Sequence, residues 1–306
     1  TPTDRTGINV GDYIDYSPDA TAQTTYSKDK LAESITGDDR NKTDIKRDKL
    51  KWQVLKINAD GSMDIIGTLT SQRIYFCGAI GYNNGVYVMN DICKTLYSRS
   101  GIEARSVNIE DFEYWLEKAG KTSVRDDYTN SDSTPQYNRP RTYESDKRYP
   151  YLYQYEQGAG INSDTVGSGT LGLSKTYTNE NGYTNGITTN TSSEATGGNL
   201  TVTQTYWEAE ITKANFGEGA KVLYETPGVR YWLASRYADC YNSFAGFGLR
   251  YGGSYLDGVV MLYSYGNFYD YDYELRPVVS LKSSVKIEAS ETASDENGTA
   301  HHITQY

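Results

Sequence analysis

The chain has 306 residues, a formal net charge of −10 and a hydrophobic fraction of 37%. That length can bury a sizeable core, yet much of the apolar content is tyrosine, so a modest core with long loops is expected. An acidic chain is repelled by phosphate backbones and anionic lipid, so neither nucleic acid nor a membrane surface is expected as a partner.

No apolar run reaches the length of a membrane span. The sequence opens at Thr1 without Met and shows no signal-peptide pattern, which is compatible with a leader or anchor removed ahead of it. The three cysteines, Cys77, Cys93 and Cys240, form no CxxC pair, and their odd number leaves at least one thiol without an intrachain disulfide. The only two histidines, His301 and His302, lie in the C-terminal tail. The body therefore cannot assemble a Ser-His-Asp triad, a Cys-His pair or a His-ligated metal. No catalytic activity, cofactor or metal is expected.

In chain order, residues 1–49 are polar and turn-rich. Gly11 to Tyr16 alternates as a short strand, and the charged run Lys28 to Lys49 reads as a solvated loop or helix. Leu50, Trp52 and Val54 alternate with Lys51 and Gln53, the pattern of a half-buried strand. Asp60-Gly61 signals a hairpin turn, and Met63 to Leu69 is the returning strand. Asn83-Asn84-Gly85 predicts a turn before a helix over Val86–Tyr97, whose stripe is Met89, Ile92, Cys93 and Leu96. Cys93 reads there as a small core residue. A second helix begins at the N-cap Asn108, with Asp111 completing a capping box and Gly120 as its stop. Ile109, Phe112, Trp115, Leu116 and Ala119 are its apolar face. Glu110, Asp111 and Glu113 complement the helix dipole better than they suggest acid–base or metal chemistry.

Residues 121–225 are rich in Thr, Asn, Gly, Ser and Tyr, and read as an insertion with short strands of its own, pinned to the core by Trp207 and Phe216. Its glycine-rich part, Gly158 to Gly172, lacks the spacing of a phosphate loop. Beyond Val229, the segments Tyr231–Arg236, Ala245–Tyr251, Val259–Ser264 and Leu275–Lys282 predict an antiparallel set of strands. Residues 286–306 are polar, without an apolar pattern, and are expected to be a disordered tail after a single domain over 1–285.

The stretch from Tyr231 to Leu281 is unlike the rest. It holds ten of the 30 tyrosines, set among Gly, Ser, Asn and Asp rather than aliphatic residues. This is the composition of a paratope: a tyrosine ring gives a large rigid contact, and the small polar residues add adaptable hydrogen bonds. From Tyr237 to Tyr273 there is no Lys, Glu, Gln or Trp and a single Met, Met261. Those five residue types have no codon ending in a pyrimidine. Randomised adenines in Asn codons would yield this restricted alphabet, although glycine- and tyrosine-rich loops are also poor in long charged side chains.

The frame around the stretch is Trp232-Leu233-Ala234-Ser235-Arg236, then Phe247-Gly248-Leu249-Arg250, then Leu262, Ser264 and Gly266, then Arg276 to Leu281. In order and spacing it resembles the variable proteins of diversity-generating retroelements. Further likeness lies in Gly11-Asp12-Tyr13-Ile14, Leu50-Lys51-Trp52, Gly81 to Gly85 and Ala104 to Asp111, and is weakest over about 120–225. The resemblance implies an α+β, C-type-lectin-type fold with two helices, short antiparallel strands and a large insertion. It also implies a variable region, about 237–273, rewritten by copying a template repeat with adenine errors. The function it implies is recognition of a protein or glycan ligand on another cell or particle, by a protein displayed on a cell surface or virion. A monomer is favoured.

The expected ligand-binding residues are Tyr237, Tyr241, Asn242, Phe244, Tyr251, Tyr255, Asp257, Tyr263, Tyr265, Asn267, Phe268, Tyr269, Asp270, Tyr271 and Tyr273. Their aromatic side chains are expected to be mostly exposed and on one contiguous face, because an uncovered aromatic patch marks binding. One alternative is a calcium-independent carbohydrate-binding adhesin with a fixed site. The Glu-Pro-Asn, Gln-Pro-Asp and Trp-Asn-Asp signatures of calcium-dependent lectins are absent. A remote alternative is an enzyme like the formylglycine-generating enzymes, which share the lectin-like fold, with Cys240 as nucleophile. No His or second Cys stands near it in sequence to activate the thiol.

Overall fold

The computed structural model describes residues 5–19, 22–32, 41–121, 126–130, 173–176, 182–184, 187–196, 200–241, 244–263, 269–290 and 300–306. The first half contains β1 Tyr13–Ile14, β2 Thr25–Tyr26, α1 Lys28–Ala32, β3 Ile45–Lys46, β4 Trp52–Ile57, β5 Met63–Gly67, β6 Ile74–Cys77, α2 Gly78–Tyr97, β7 Ala104–Ser106 and α3 Ile109–Lys118. The insertion contributes β8 Asp126–Asn130, β9 Leu173–Thr176, β10 Gly182–Thr184, β11 Ile187–Thr196 and β12 Leu200–Glu210, then two short helices, α4 Lys213–Phe216 and α5 Ala220–Leu223. The last part holds β13 Tyr231–Tyr241, β14 Phe244–Gly252, β15 Tyr255–Tyr263, β16 Asp270–Tyr273, β17 Pro277–Leu281, β18 Lys286–Glu288 and β19 His302–Gln305. This is a mixed α+β chain of mostly strands and few helices, with no closed barrel among the described residues.

The predicted hairpin is β4–β5, turning at Asp60-Gly61, where the Asp60 carboxylate accepts from the Ser62 backbone N–H at 2.9 Å. Trp52 and Val54 point inward as their alternation requires. All five residues of β5 are buried, because the strand separates two cores: Met63 and Ile65 pack in one, Ile66 in the other. Two-sided cover makes the returning strand buried along its whole length.

The sheet around it runs β1-β4-β5-β17-β7. The position of β17 corrects the expectation of one antiparallel set of four strands. Only β13, β14 and β15 form a meander, in a separate sheet that β12 of the insertion extends at Ala209 and Glu210. The tyrosine-rich stretch therefore leaves from one sheet and ends in the other. Its two ends still meet: the Trp232 N–H donates to the Glu274 carbonyl at 2.9 Å.

Helix α2 begins at Gly78, not Val86, so Asn83-Asn84-Gly85 lies inside a helix rather than in a turn. The reason is tertiary. Gly81 and Gly85, one helical turn apart, face the meander, and a Cβ on them would stand 2.6 Å from Met261 Cε and 2.5 Å from Leu249 Cδ1. Two glycines weaken an isolated helix by about 1 kcal/mol each relative to alanine. Here they let it press directly onto the sheet. The predicted stripe of Met89, Ile92, Cys93 and Leu96 is buried on the same core.

Helix α3 follows its sequence signals. The Asn108 side chain accepts from the Asp111 N–H, and the Asp111 carboxylate accepts from the Asn108 N–H at 3.0 Å. Both Asp111 oxygens also accept from Arg105, at 2.7 and 2.8 Å. Burial alone would lower the Arg105 pKa, but the Asp111 carboxylate outweighs it and holds the guanidinium above its ordinary value. Asp111 is thus fully engaged in structure. Phe216 packs on α3, with its ring edge-on to Phe112 at 5.8 Å, while the Trp207 side chain lies outside the described residues.

The expected disordered tail is overturned in its described parts. β18 and β19 pair antiparallel, and His301 is fully buried. Its Nδ1 accepts from the Ser290 N–H and its Nε2 lies 2.8 Å from Asp12 Oδ2, while its backbone bonds to Tyr13 and Asp15. A short polar strand needs no apolar stripe when it pairs with β18 and the residue before it, His301, is bridged to the edge of β1. Among the described residues no helix is long and apolar enough to cross a membrane.

Candidate ligand-binding surface

The meander is built on registers that place Trp232, Leu233, Ala234, Leu249 and Arg250 of the frame inward. Trp232 opposes Tyr251, and Leu249 opposes Val259. Trp232 is fully buried, edge-on to Phe76 at 5.3 Å, and its Nε1–H donates to the Ile74 carbonyl at 2.8 Å. The Ser235 hydroxyl accepts from the Ile109 N–H at 2.9 Å, tying β13 to the start of α3. Arg276 is buried: its Nε donates to the Gly67 carbonyl at 3.0 Å and its guanidinium to the Val222 carbonyl at 2.7 Å. It also stacks 5.0 Å from the Tyr231 ring centroid. A buried charge so bonded costs little to hold and much to strand. Ala234, Leu249, Arg250, Val278, Val279 and Leu281 of the frame are fully buried as well.

The tyrosines divide. Tyr255 and Tyr269 are 44% and 46% exposed. Tyr271, Asp257 and Asp270 are half-buried. Tyr237, Tyr251 and Tyr273 are buried, at 3%, 8% and 9% exposed, and correct the expectation of a mostly accessible set. Each has a structural seat. The Tyr237 ring lies against Gly258, where any Cβ would collide with it, and Arg250 stands 5.2 Å from its centroid. Tyr273 packs on Trp232 at 4.5 Å and on Tyr251 at 5.5 Å. Arg230 caps both rings, 4.7 Å from Tyr251 and 5.7 Å from Tyr273, and donates to the Tyr273 hydroxyl at 3.0 Å. The Tyr251 hydroxyl donates to Asp257 at 3.2 Å. Burial first, and then the Asp257 charge, pushes the Tyr251 pKa up; burial does the same for Tyr271 and Tyr273.

Among the described residues, the two exposed tyrosines of the stretch stand apart. Tyr255 starts β15, opposite Glu210, whereas the Tyr269 N–H donates to the Met261 carbonyl, six residues further along. At the rise of a strand that is roughly 20 Å. The side chains of Tyr241, Phe244 and Tyr263, and residues Asn242, Tyr265, Asn267 and Phe268 altogether, lie outside what is described, as does the Cys240 side chain. Backbone pairing does place Tyr241 opposite Phe244, and Tyr263 opposite Gly246, at the end of the meander away from Tyr255.

Sequence reasoning missed β6. It pairs with β16, so that Tyr75 stands opposite Asp272 and Cys77 opposite Asp270, and Arg73 reaches Glu274 at 2.9 Å and Asp272 at 3.5 Å. The run Ile74-Tyr75-Phe76-Cys77 carries a strand composition that could have been read. The surface beside the tyrosine-rich stretch therefore includes Arg73, Tyr75 and Arg230.

Among the described residues no three His, Cys, Asp or Glu side chains gather as a metal-ligand set. Burial pushes the Cys93 thiol up, away from a nucleophilic thiolate. What the surface offers is aromatic and carboxylate contact on a rigid frame. No protein-family model, no curated protein and no solved structure matches the chain.

Proposed function

We propose that the chain is a non-catalytic ligand-binding protein, a retroelement-diversified variable protein whose C-type-lectin-type frame presents a changeable tyrosine-rich surface. One observation carries this reading. Within a single stretch, Trp232, Leu233, Ala234, Ser235, Leu249, Arg250 and Arg276 of the frame are buried, while Tyr255, Tyr269, Asp270 and Tyr271 between them sit at or near the surface. Tyr255 and Tyr269 can change without touching the core, and Tyr271 meets only its edge. The ligand is a protein or glycan on another cell or particle, met by aromatic rings with few rotatable bonds and by flanking carboxylates.

Sequencing the gene and its flanks across a population tests the proposal. A near-copy of the segment encoding Tyr237–Tyr273 is expected nearby, differing only at adenines and beside a reverse transcriptase gene. Variants should change Tyr255, Tyr269 and Tyr271 and leave Trp232, Leu249 and Arg276 intact. The absence of any such copy, or substitutions spread evenly over frame and surface, would overturn it.

A further inference from the structure

A recess of about 760 Å³ opens on the five-stranded sheet where β1 and β4 diverge, clear of the tyrosine-rich stretch. Its volume falls within the range of about 300–1,000 Å³ typical of small-molecule sites. The floor is rigid and aromatic. Tyr16 and Trp52 meet edge-on at 4.8 Å, Trp52 and Tyr97 at 6.3 Å, and the Tyr16 hydroxyl donates to the Tyr97 carbonyl at 2.7 Å. Ile14, Pro18 and Leu50 add apolar wall.

The polar groups around it are unevenly occupied. Asp48 accepts from the Ser71 N–H at 2.8 Å and the Ser71 hydroxyl at 2.7 Å. Asp15 accepts from the Ile303 N–H at 2.7 Å and faces His302 Nδ1 at 2.8 Å. Arg47 donates to the Asp19 carbonyl at 3.3 Å. Lys49 and Lys51 also line the recess, and among the described residues neither ammonium pairs with a carboxylate; Lys51 stands 5.9 Å from the Tyr13 ring. The lining thus carries Arg47, Lys49 and Lys51 against Asp15 and Asp48, a basic excess beside an apolar floor in a chain of net charge −10.

We propose that this recess is a fixed binding site for a small amphipathic anion. Its apolar body would lie against Ile14, Leu50 and Pro18, and its charged group would face Lys49 and Lys51. The Asp15 and Asp48 carboxylates are held by Ile303, His302 and Ser71 and make no salt bridge with the lysines, whose ammonium groups can turn to a ligand. The site is independent of the tyrosine-rich surface and would not change with it.

The test uses 8-anilinonaphthalene-1-sulfonate, an aromatic anion, titrated into the full chain and followed by fluorescence and calorimetry, with circular dichroism confirming the native fold. One saturable equivalent is expected. The double variant Lys49→Glu/Lys51→Glu should weaken it about tenfold or more, corresponding to about 1.4 kcal/mol. Tyr255→Ala and Tyr269→Ala should leave it unchanged. The charge change sits on the surface, so the variant is expected to fold. The proposal is overturned if the double variant binds within about twofold of the parent, if nothing saturates below about 1 mM, or if the tyrosine variants abolish binding. Equal binding of the neutral N-phenyl-1-naphthylamine would also overturn it, by leaving the lysines without a role.

Discussion

Tyr269 and Tyr273 stand four residues apart in one acidic, aromatic run, yet Tyr269 is 46% exposed and Tyr273 9%. Their local sequences are nearly the same. What separates them is what lies beneath. Tyr273 comes to rest on Trp232 and under Arg230, at the place where β16 turns back to meet the start of β13. Tyr269 hangs from the Met261 carbonyl at the other end of the ribbon. The same contrast holds between Tyr251, which opposes Trp232, and Tyr255 beyond the hairpin. A tyrosine in this stretch is buried or exposed according to what its ring meets across the fold, as Tyr237 meets Gly258 and Tyr273 meets Trp232, not according to its neighbours in sequence.

The sharpest way to test that division is alkali. Burial raises the pKa of Tyr16, Tyr97, Tyr231 and Tyr251 above the ordinary 10.0. In the unfolded chain these hydroxyls ionise near 10, in the folded chain only above it. Their contribution is complete below about pH 10 and is lost as the pH rises through the folded values. Phenolate absorbance should therefore appear in two phases, the later one coincident with cooperative loss of circular dichroism. A single phase with the fold intact would erase the distinction.

Next in size is the anchor itself. Trp232→Ala removes a fully buried ring and leaves the Ile74 carbonyl without its donor, and should cost about 3–5 kcal/mol in chemical denaturation. A loss below about 1 kcal/mol, the range of ordinary exposed sites, would mean the frame is not where stability resides.

The smallest effects draw the line between the two tyrosines. Tyr273→Phe should cost about 1 kcal/mol through the lost Arg230 bond, and Tyr269→Ala about 0.5 kcal/mol or less. Equal melting shifts would show that the exposure difference has no energetic meaning.

Much of the frame was legible in advance because its signals are local. The Asn108–Asp111 capping box, the Asp60-Gly61 turn and the stripe Met89, Ile92, Cys93 and Leu96 each specify their element within one turn of chain. The Asn83-Asn84-Gly85 segment misled, because turn residues were placed in a helix that needs glycine for a contact with β14 and β15, more than 160 residues away. The C-terminal strand misled for a similar reason: beside its pairing with β18, it is anchored through one buried histidine, His301, which bridges to Ile14 of β1 at the opposite end of the sequence.

The sequence by itself determined that this is a strand-rich α+β chain, acidic, without histidine in its body, and carrying tyrosines between two apolar frame segments. Those properties follow from composition, period and spacing. Only the tertiary structure decided which tyrosines are buried, that β17 joins β5 and β7 rather than the meander, and that Lys49 and Lys51 border a recess. Burial is a property of what a side chain meets across the fold, and a residue type that is half apolar and half polar can satisfy either side.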